Sequence, residues 1–183
     1  MNPNFKVPTR SEVTPTNQAI FDSLEKAVGF VPNLYATYAH SENALKNYLD
    51  FSNAKTSLTN KEKEAVNLAV SEVNQCQYCL AAHTAIAGMN GFTPDQIIEL
   101  RQGKASFDSR INAIAQVAKN MTENRGATSP EVVKAFFEAG LTNENLIDLI
   151  CLVGDKTISN YLHSTTQIPV DFPAAQPLEE VNA

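Results

Sequence analysis

At 183 residues, with a formal net charge of −6 and a pI near 5.0, the chain is long enough to bury one respectable core and too short to expect two domains. That acidity, with no run of Lys and Arg, excludes nucleic acid and an anionic membrane as main partners, because both reward clustered positive charge. Three cysteines do not make a disulfide scaffold, so a close pair in a reducing compartment points to catalysis or metal binding.

Almost every segment between turn signals shows the helical period rather than alternation, which predicts an all-α fold and a single domain over residues 1–183. The first residues, to about 15, are polar and punctuated by proline. They read as an N-terminal arm of a cytoplasmic protein, lacking the apolar core of a signal peptide and the Arg-rich character of a transit peptide. Helices are expected at about 16–27 and 42–55. Between them the joint Gly29-Phe30-Val31-Pro32-Asn33 breaks the chain, since Pro32 biases Val31 away from helix and can itself open the next one. The following helices are expected at about 60–74, 77–89, 94–102, 107–123, 130–138 and 143–162. Their starts are marked clearly: Thr59 with Glu62 as a capping box, Thr93-Pro94-Asp95-Gln96 and Ser129-Pro130-Glu131 with proline at the first helical position. The strongly apolar run 146–153 is interrupted by Asp148 and is far too short to cross a bilayer. After His163, Pro169, Pro173 and Pro177 turn the chain into an extended C-terminal tail over about 164–183. The segments opening at Gly91 and Gly140 share a Gly, an apolar residue, a Thr cap and an acidic first turn, which is shared helix-start grammar rather than a duplicated unit.

Chemistry concentrates in Cys76-Gln77-Tyr78-Cys79-Leu80-Ala81-Ala82-His83. Positions i, i+3 and i+7 of a helix lie in one stripe, so both sulfurs and the imidazole emerge from the same face. A break at Asn74-Gln75 puts Cys76 at the opening of this helix and Cys79 in its first turn, where unpaired N–H groups favour a thiolate. His83 can take the thiol proton or return one to a leaving oxygen. Glu64, twelve residues before Cys76, reaches His83 if the two helices form an antiparallel hairpin, giving the order carboxylate, imidazole, sulfur. Residues three apart on a helix have Cα atoms about 5 Å apart, within the window for a disulfide, so a Cys76–Cys79 bond needs little backbone movement. Attack of Cys79 on a peroxide would give its sulfenic acid, and Cys76 could condense with it. Structural zinc is the competing reading, since Cys, Cys, His and Glu are zinc ligand types, although i, i+3 and i+7 on one helix is an awkward source of a tetrahedral shell. Leu80 after Cys79 argues against a c-type haem, and no strand precedes the pair as a thioredoxin-like fold requires.

The run from Leu58-Thr59-Asn60-Lys61-Glu62-Lys63-Glu64 through Val70 to Cys76, Cys79 and His83 resembles the core of the alkyl hydroperoxidase D (AhpD-like) family in the carboxymuconolactone decarboxylase superfamily. The likeness is closest over about residues 55–90. Gly29-Phe30-Val31-Pro32-Asn33-Leu34, Asn160-Tyr161-Leu162-His163 and Pro169-Val170-Asp171 are similar to features of its peroxidase-related members. The resemblance implies an AhpD-like helical bundle built around a hairpin carrying Glu and CxxC-x3-His, assembled as trimers or hexamers. It implies Cys79 as the peroxidatic residue, Cys76 as proton donor and resolving thiol, and His83 with Glu64 as the proton relay. Since the sequence has neither a third redox cysteine suitably placed nor a cofactor motif, turnover is expected to require an external dithiol reductant of protein or lipoyl type and no bound cofactor. Better-characterised members carry His just before the second cysteine, where this chain has Tyr78, a poor proton acceptor near neutral pH.

The expected function is therefore a thiol-dependent peroxidase acting on hydrogen peroxide or organic hydroperoxides. A lactone decarboxylase-like lyase and a non-catalytic zinc-binding or redox-sensing helical oligomer are the alternatives. Outside the cluster, Cys151 reads as a buried small hydrophobe. His40 and His163 read as helix-end residues, His163 with a capping or interface role. Phe21, Phe30, Tyr35, Tyr38, Tyr48 and Phe51 read as core or subunit contact.

Overall fold

The computed structural model describes residues 5–178. Its regular elements are a 3₁₀ turn at Arg10–Glu12 and helices α1 (Pro15–Val28), α2 (Asn33–Tyr38), α3 (Ala44–Ser52), α4 (Asn60–Val73), α5 (Gln77–Met89), α6 (Pro94–Arg101), α7 (Ser109–Glu123), α8 (Pro130–Glu138) and α9 (Asn143–Thr166), with no strand among the described residues. The all-α expectation holds, and each expected helix is present. α2 is the addition: six residues behind an N-cap at Pro32, too short to show a period in sequence. The ends of the arm and of the tail, residues 1–4 and 179–183, lie outside the described residues.

The chain divides into two compact units, one comprising Met1–Lys55 with Tyr161–Asp171 and the other Thr56–Asn160 with Phe172–Ala183. In the second, α4 is the central helix, packed by α5, α6 and α7, while α8 lies on α7. Ala65, Val66, Leu68, Ala69 and Val70 of α4 join Ile114, Val117 and Ala118 of α7, Phe136 of α8 and Leu149 of α9 in one apolar core. A helix surrounded on several sides must be apolar nearly all round, and α4 is so except where polar residues have partners. Glu62 is one such residue. Its carboxylate accepts from the Thr59 N–H at 2.7 Å, closing the capping box, and from Arg110 Nε at 2.6 Å. Arg101, also buried, donates to Glu72 at 2.7 Å and to the carbonyl of Gln176 at 2.6 Å.

The helix boundaries follow their caps. α7 begins at Ser109 because the Asp108 side chain accepts the N–H groups of Arg110 and Ile111, satisfying donors that the first turn leaves open. Gly103, just after α6, has φ of +75°, and a Cβ there would lie 2.5 Å from Lys119 Cδ. Both conformation and space require glycine at that turn.

In the first unit, Phe21 of α1 is buried, and Tyr38 stacks on Tyr48 with ring centroids 4.3 Å apart. Tyr35 packs against the same Tyr48 ring at 6.2 Å, so these aromatics are core, as expected, whereas Phe51 is 44 % exposed. Asn17 Nδ2 donates to the carbonyls of Ala39 and Ser41. The segment after α9 is tied down: the Asp171 carboxylate accepts the Asn33 N–H at 2.7 Å, at the start of α2, and Asn33 Nδ2 donates to the Pro169 carbonyl.

Candidate active site

Between α4 and α5 the chain reverses in very few residues. Gln75 takes φ of +52°, a left-handed conformation that costs a non-glycine residue energy, and the Cys76 N–H returns to the Ser71 carbonyl at 3.0 Å. Cys76 thereby becomes the N-cap of α5, its Sγ accepting the Cys79 N–H at 3.4 Å. The expected placement of Cys76 at the helix opening and Cys79 in the first turn is what the fold contains. Both thiols are free, and both are buried, with exposures of 0 % and 2 %.

The pair is electrostatically asymmetric. A hydrogen bond from the Cys76 thiol lowers the Cys79 pKa to about 6, against burial, which pushes it up; positive charge on the Lys156 and His83 side and a hydrogen bond from Asn160 add to the lowering. The same thiol–thiolate bond holds the proton on Cys76, whose pKa is raised, and burial and the negative sulfur of Cys79 raise it further. One sulfur is prepared as a nucleophile and the other as a proton-bearing partner.

Fold-back of α5 onto α4 brings Glu64 to His83, with Oε2 2.8 Å from Nδ1. The other carboxylate oxygen accepts from Asn67 Nδ2 at 3.0 Å. Burial pushes the Glu64 pKa up, but the facing His83 ring, the Asn67 amide and the Lys156 charge outweigh it and hold the carboxyl below its usual range. An ionised carboxylate only accepts, so Nδ1 of His83 carries a hydrogen. On the opposite side of the ring, Nε2 lies 2.7 Å from Lys156 Nζ.

Lys156 comes from α9, as does Asn160, whose Oδ1 accepts from Asn74 at 2.9 Å and whose Nδ2 lies 3.3 Å from Ser71 Oγ. Asp155, Lys156, Ser159 and Asn160 are all buried, so this helix turns a polar face inward. Glu64, Cys76, Cys79, His83, Lys156 and Asn160 all belong to the same compact unit. The four residues singled out in the sequence come together there; Lys156, Asn160 and Asn67 do not show in the sequence motif. The available signal is a run of polar residues at one face of α9, which sequence alone reads as solvated surface.

Tyr78 is buried and meets Phe172 edge-on, ring centroids 5.7 Å apart. Cys151 is exposed, correcting its reading as a buried residue: Leu149 and Val153 face the core, and Cys151 falls on the opposite side of α9. His163 is buried with Nε2 3.2 Å from the Ile168 carbonyl, and burial lowers its pKa. His40 lies 2.9 Å from the Lys6 carbonyl, edge-on to Phe5. Among the described residues, no three His, Cys, Asp or Glu side chains converge where they could hold a metal ion.

Residues 39–120 match the model of the carboxymuconolactone decarboxylase family. The fold is similar to that of an alkylhydroperoxidase AhpD core, an uncharacterized peroxidase-related protein from Ralstonia eutropha JMP134, at 23 % identity over 91 % of each chain with a TM-score of 0.82. It is also similar to an uncharacterized peroxidase-related protein from Silicibacter sp. TM1040, at 21 % identity, 93 % of this chain, 91 % of that one and a TM-score of 0.78. A cysteine-to-alanine variant of the debrominase Bmp8 in complex with 2,3,4-tribromopyrrole is similar at 15 % identity, 93 % of this chain, 94 % of that one and a TM-score of 0.78. No curated protein matches the chain significantly. The chain thus matches the carboxymuconolactone decarboxylase family model over residues 39–120 and has an all-helical AhpD-like fold, the fold that the resemblance of its cysteine hairpin implied.

Proposed function

We propose that the protein is a thiol-dependent peroxidase that reduces hydrogen peroxide or a small organic hydroperoxide. One observation carries this reading: a buried dithiol with one sulfur poised as thiolate, beside a buried carboxylate–imidazole pair. The peroxidase-related proteins that share its fold are in keeping with it. In the proposed cycle, the Cys79 thiolate attacks the O–O bond, giving Cys79 sulfenic acid and an alkoxide or hydroxide that must be protonated. The Cys76 sulfur then attacks Cys79, forming the S–S bond, and its proton leaves with the sulfenic oxygen as water. An external dithiol, of protein or lipoyl type, reduces the disulfide by exchange and is itself oxidised. Glu64 and His83 form a buried, hydrogen-bonded pair on the side of the sulfur where a proton must move. Exposure of only 2 % at Cys79 favours a small peroxide over a bulky one.

The test is limiting hydrogen peroxide followed by thiol alkylation and mass spectrometry. A Cys76–Cys79 disulfide with Cys151 still alkylated is the expected product; Cys79 recovered as a free thiol overturns the reading. The family's name favours a second reading, a lactone decarboxylase-like lyase. In that case, replacing both hairpin cysteines by serine would leave turnover of a candidate lactone intact.

A further inference from the structure

The bond between His83 and Lys156 has a stricter meaning than mere proximity. Nδ1 donates to the Glu64 carboxylate at 2.8 Å, and Nε2 lies 2.7 Å from Nζ. At that distance two N–H groups would face each other in repulsion, and two lone pairs would have nothing between them, so one hydrogen lies between the nitrogens. Either Lys156 is an ammonium donating to a neutral ring, or the ring is charged and donates to a neutral amine. In both states the two ring nitrogens of His83 are already engaged, leaving none for a sulfur or an oxygen. Nζ, by contrast, has further bonds to offer: an ammonium carries three donors. Lys156 is buried, at 6 % exposure, and its positive charge acts on Cys79 in the direction that favours the thiolate.

We infer that Lys156 is the proton carrier of the thiol site, taking the proton that Cys79 sheds and giving it to the oxygen that leaves when the peroxide is cleaved, with His83 and Glu64 as its positioning groups. The inference rests on the peroxidase reading for its second half only. Protons and electrons balance around the cycle. When the external dithiol restores Cys76 and Cys79 as thiols, the Cys79 proton passes to neutral Lys156, leaving thiolate and ammonium. Thiolate attack on R–O–O–H forms the S–O bond and breaks O–O, oxidising the sulfur and reducing the departing oxygen. The RO⁻ produced takes a proton from the ammonium and leaves as ROH. Condensation of Cys76 with the sulfenic acid releases water and needs no further proton. Lysine suits this role and arginine does not, because a guanidinium keeps its proton.

The charged or titratable groups that act on the Cys79 sulfur are Cys76, His83 of α5 and Lys156 of α9, with Glu64 of α4 facing His83 and Lys156 behind them. The experiment compares wild type with Lys156→Met, Lys156→Gln and Lys156→Arg, all checked for native helicity. Its first measurement, made without peroxide, is the pH profile of Cys79 alkylation by iodoacetamide. In the Met and Gln variants, loss of the cation is expected to move the midpoint up by at least one pH unit, while the Arg variant stays near wild type. The second is single-turnover oxidation of Cys79 by hydrogen peroxide at pH 7. All three variants are expected to slow at least tenfold, and added methylamine is expected to restore part of the rate in Met. An unchanged alkylation midpoint in both Met and Gln overturns the inference. Wild-type oxidation rates in Arg overturn proton delivery, leaving only a charge effect. If wild-type protein itself does not react with peroxide, the peroxidase reading fails, and the alkylation profiles alone decide whether Lys156 takes the Cys79 proton.

Discussion

Cys76 and Cys79 are chemically alike in isolation and opposite in the fold, because one shared hydrogen bond places the proton on the first and the charge on the second. Alkylation of Cys79 is therefore expected to rise through a pH of about 6, with Cys76 unreactive over the same range, as quantitative mass spectrometry of the two peptides will show. Cys79→Ser should abolish peroxide consumption. Glu64→Gln should lower it by about 100-fold, the low end of the range for proton-transfer catalysis, because Glu64 positions the groups that move the proton, as read by a peroxide electrode. Glu64 also makes a pH-dependent contribution to stability. Its folded pKa is below the usual value, so between the two pKa values the unfolded chain binds more protons and stability rises with pH. That contribution is present above the ordinary carboxylate range and lost as pH falls through the depressed folded value. Urea unfolding between pH 3 and 7 should therefore show a weaker acid destabilisation in Glu64→Gln than in wild type. Glu64, Cys76, Cys79 and His83 were legible in the sequence because they sit on two consecutive helices at fixed spacings. Lys156 was not, because its partner His83 is 73 residues away and nothing local marks the pairing.

The hairpin of α4 and α5 is the element that makes the site, and its parts have separable roles. The Thr59 and Glu62 capping box starts α4, the left-handed Gln75 closes it, and Cys76 caps α5 with a sulfur. Removing the Thr59 hydroxyl by Thr59→Ala should cost about 1 kcal/mol, measurable as a lower urea midpoint. Since Thr59 touches neither sulfur, the Cys79 alkylation profile should be unchanged. Capping boxes and proline starts were readable because they are local chemistry: a side chain bonding an N–H three residues away. α2 was not readable, since six residues show less than two turns and its start is held by Asp171 from far along the chain. α9 carries a different lesson. Its periodicity is plain, but which face points inward is not, because the inward face bears Asp155, Lys156, Ser159 and Asn160 and looks like a solvated one.

That inversion bears on the whole molecule. On α9, Ile147, Ile150, Ile158 and Tyr161 are 60 %, 44 %, 47 % and 63 % exposed, and beyond Glu144 no exposed position of the helix is charged. These residues fall symmetrically about the exposed Gly154, so an antiparallel second copy of α9 would set Ile147 against Tyr161 and Ile150 against Ile158, a self-complementary two-fold register. We propose a second copy of this chain as the occupant of that face, in line with the homo-oligomer that the resemblance implies. Light scattering should give a multiple of the 20.0 kDa chain mass, and Ile150→Lys with Ile158→Lys, which sets like charges against each other across the two-fold, should reduce it; a monomer at micromolar concentration counts against the assembly. No helix among the described residues is long and apolar enough to cross a membrane, consistent with an apolar face that is a stripe rather than a full circumference.

The amino-acid sequence by itself determined the helical class, the helix starts and the cysteine hairpin, all of which depend on interactions within a few residues or between neighbouring helices. Tertiary structure decided which way α9 faces, and with it that Lys156 and Asn160 enter the site and Cys151 leaves the core. The physical reason is that helical periodicity records two faces but not their environments. Only packing against α4 and α5 shows that the polar face is the buried one, where each charge and hydrogen bond is made from residues remote in the chain.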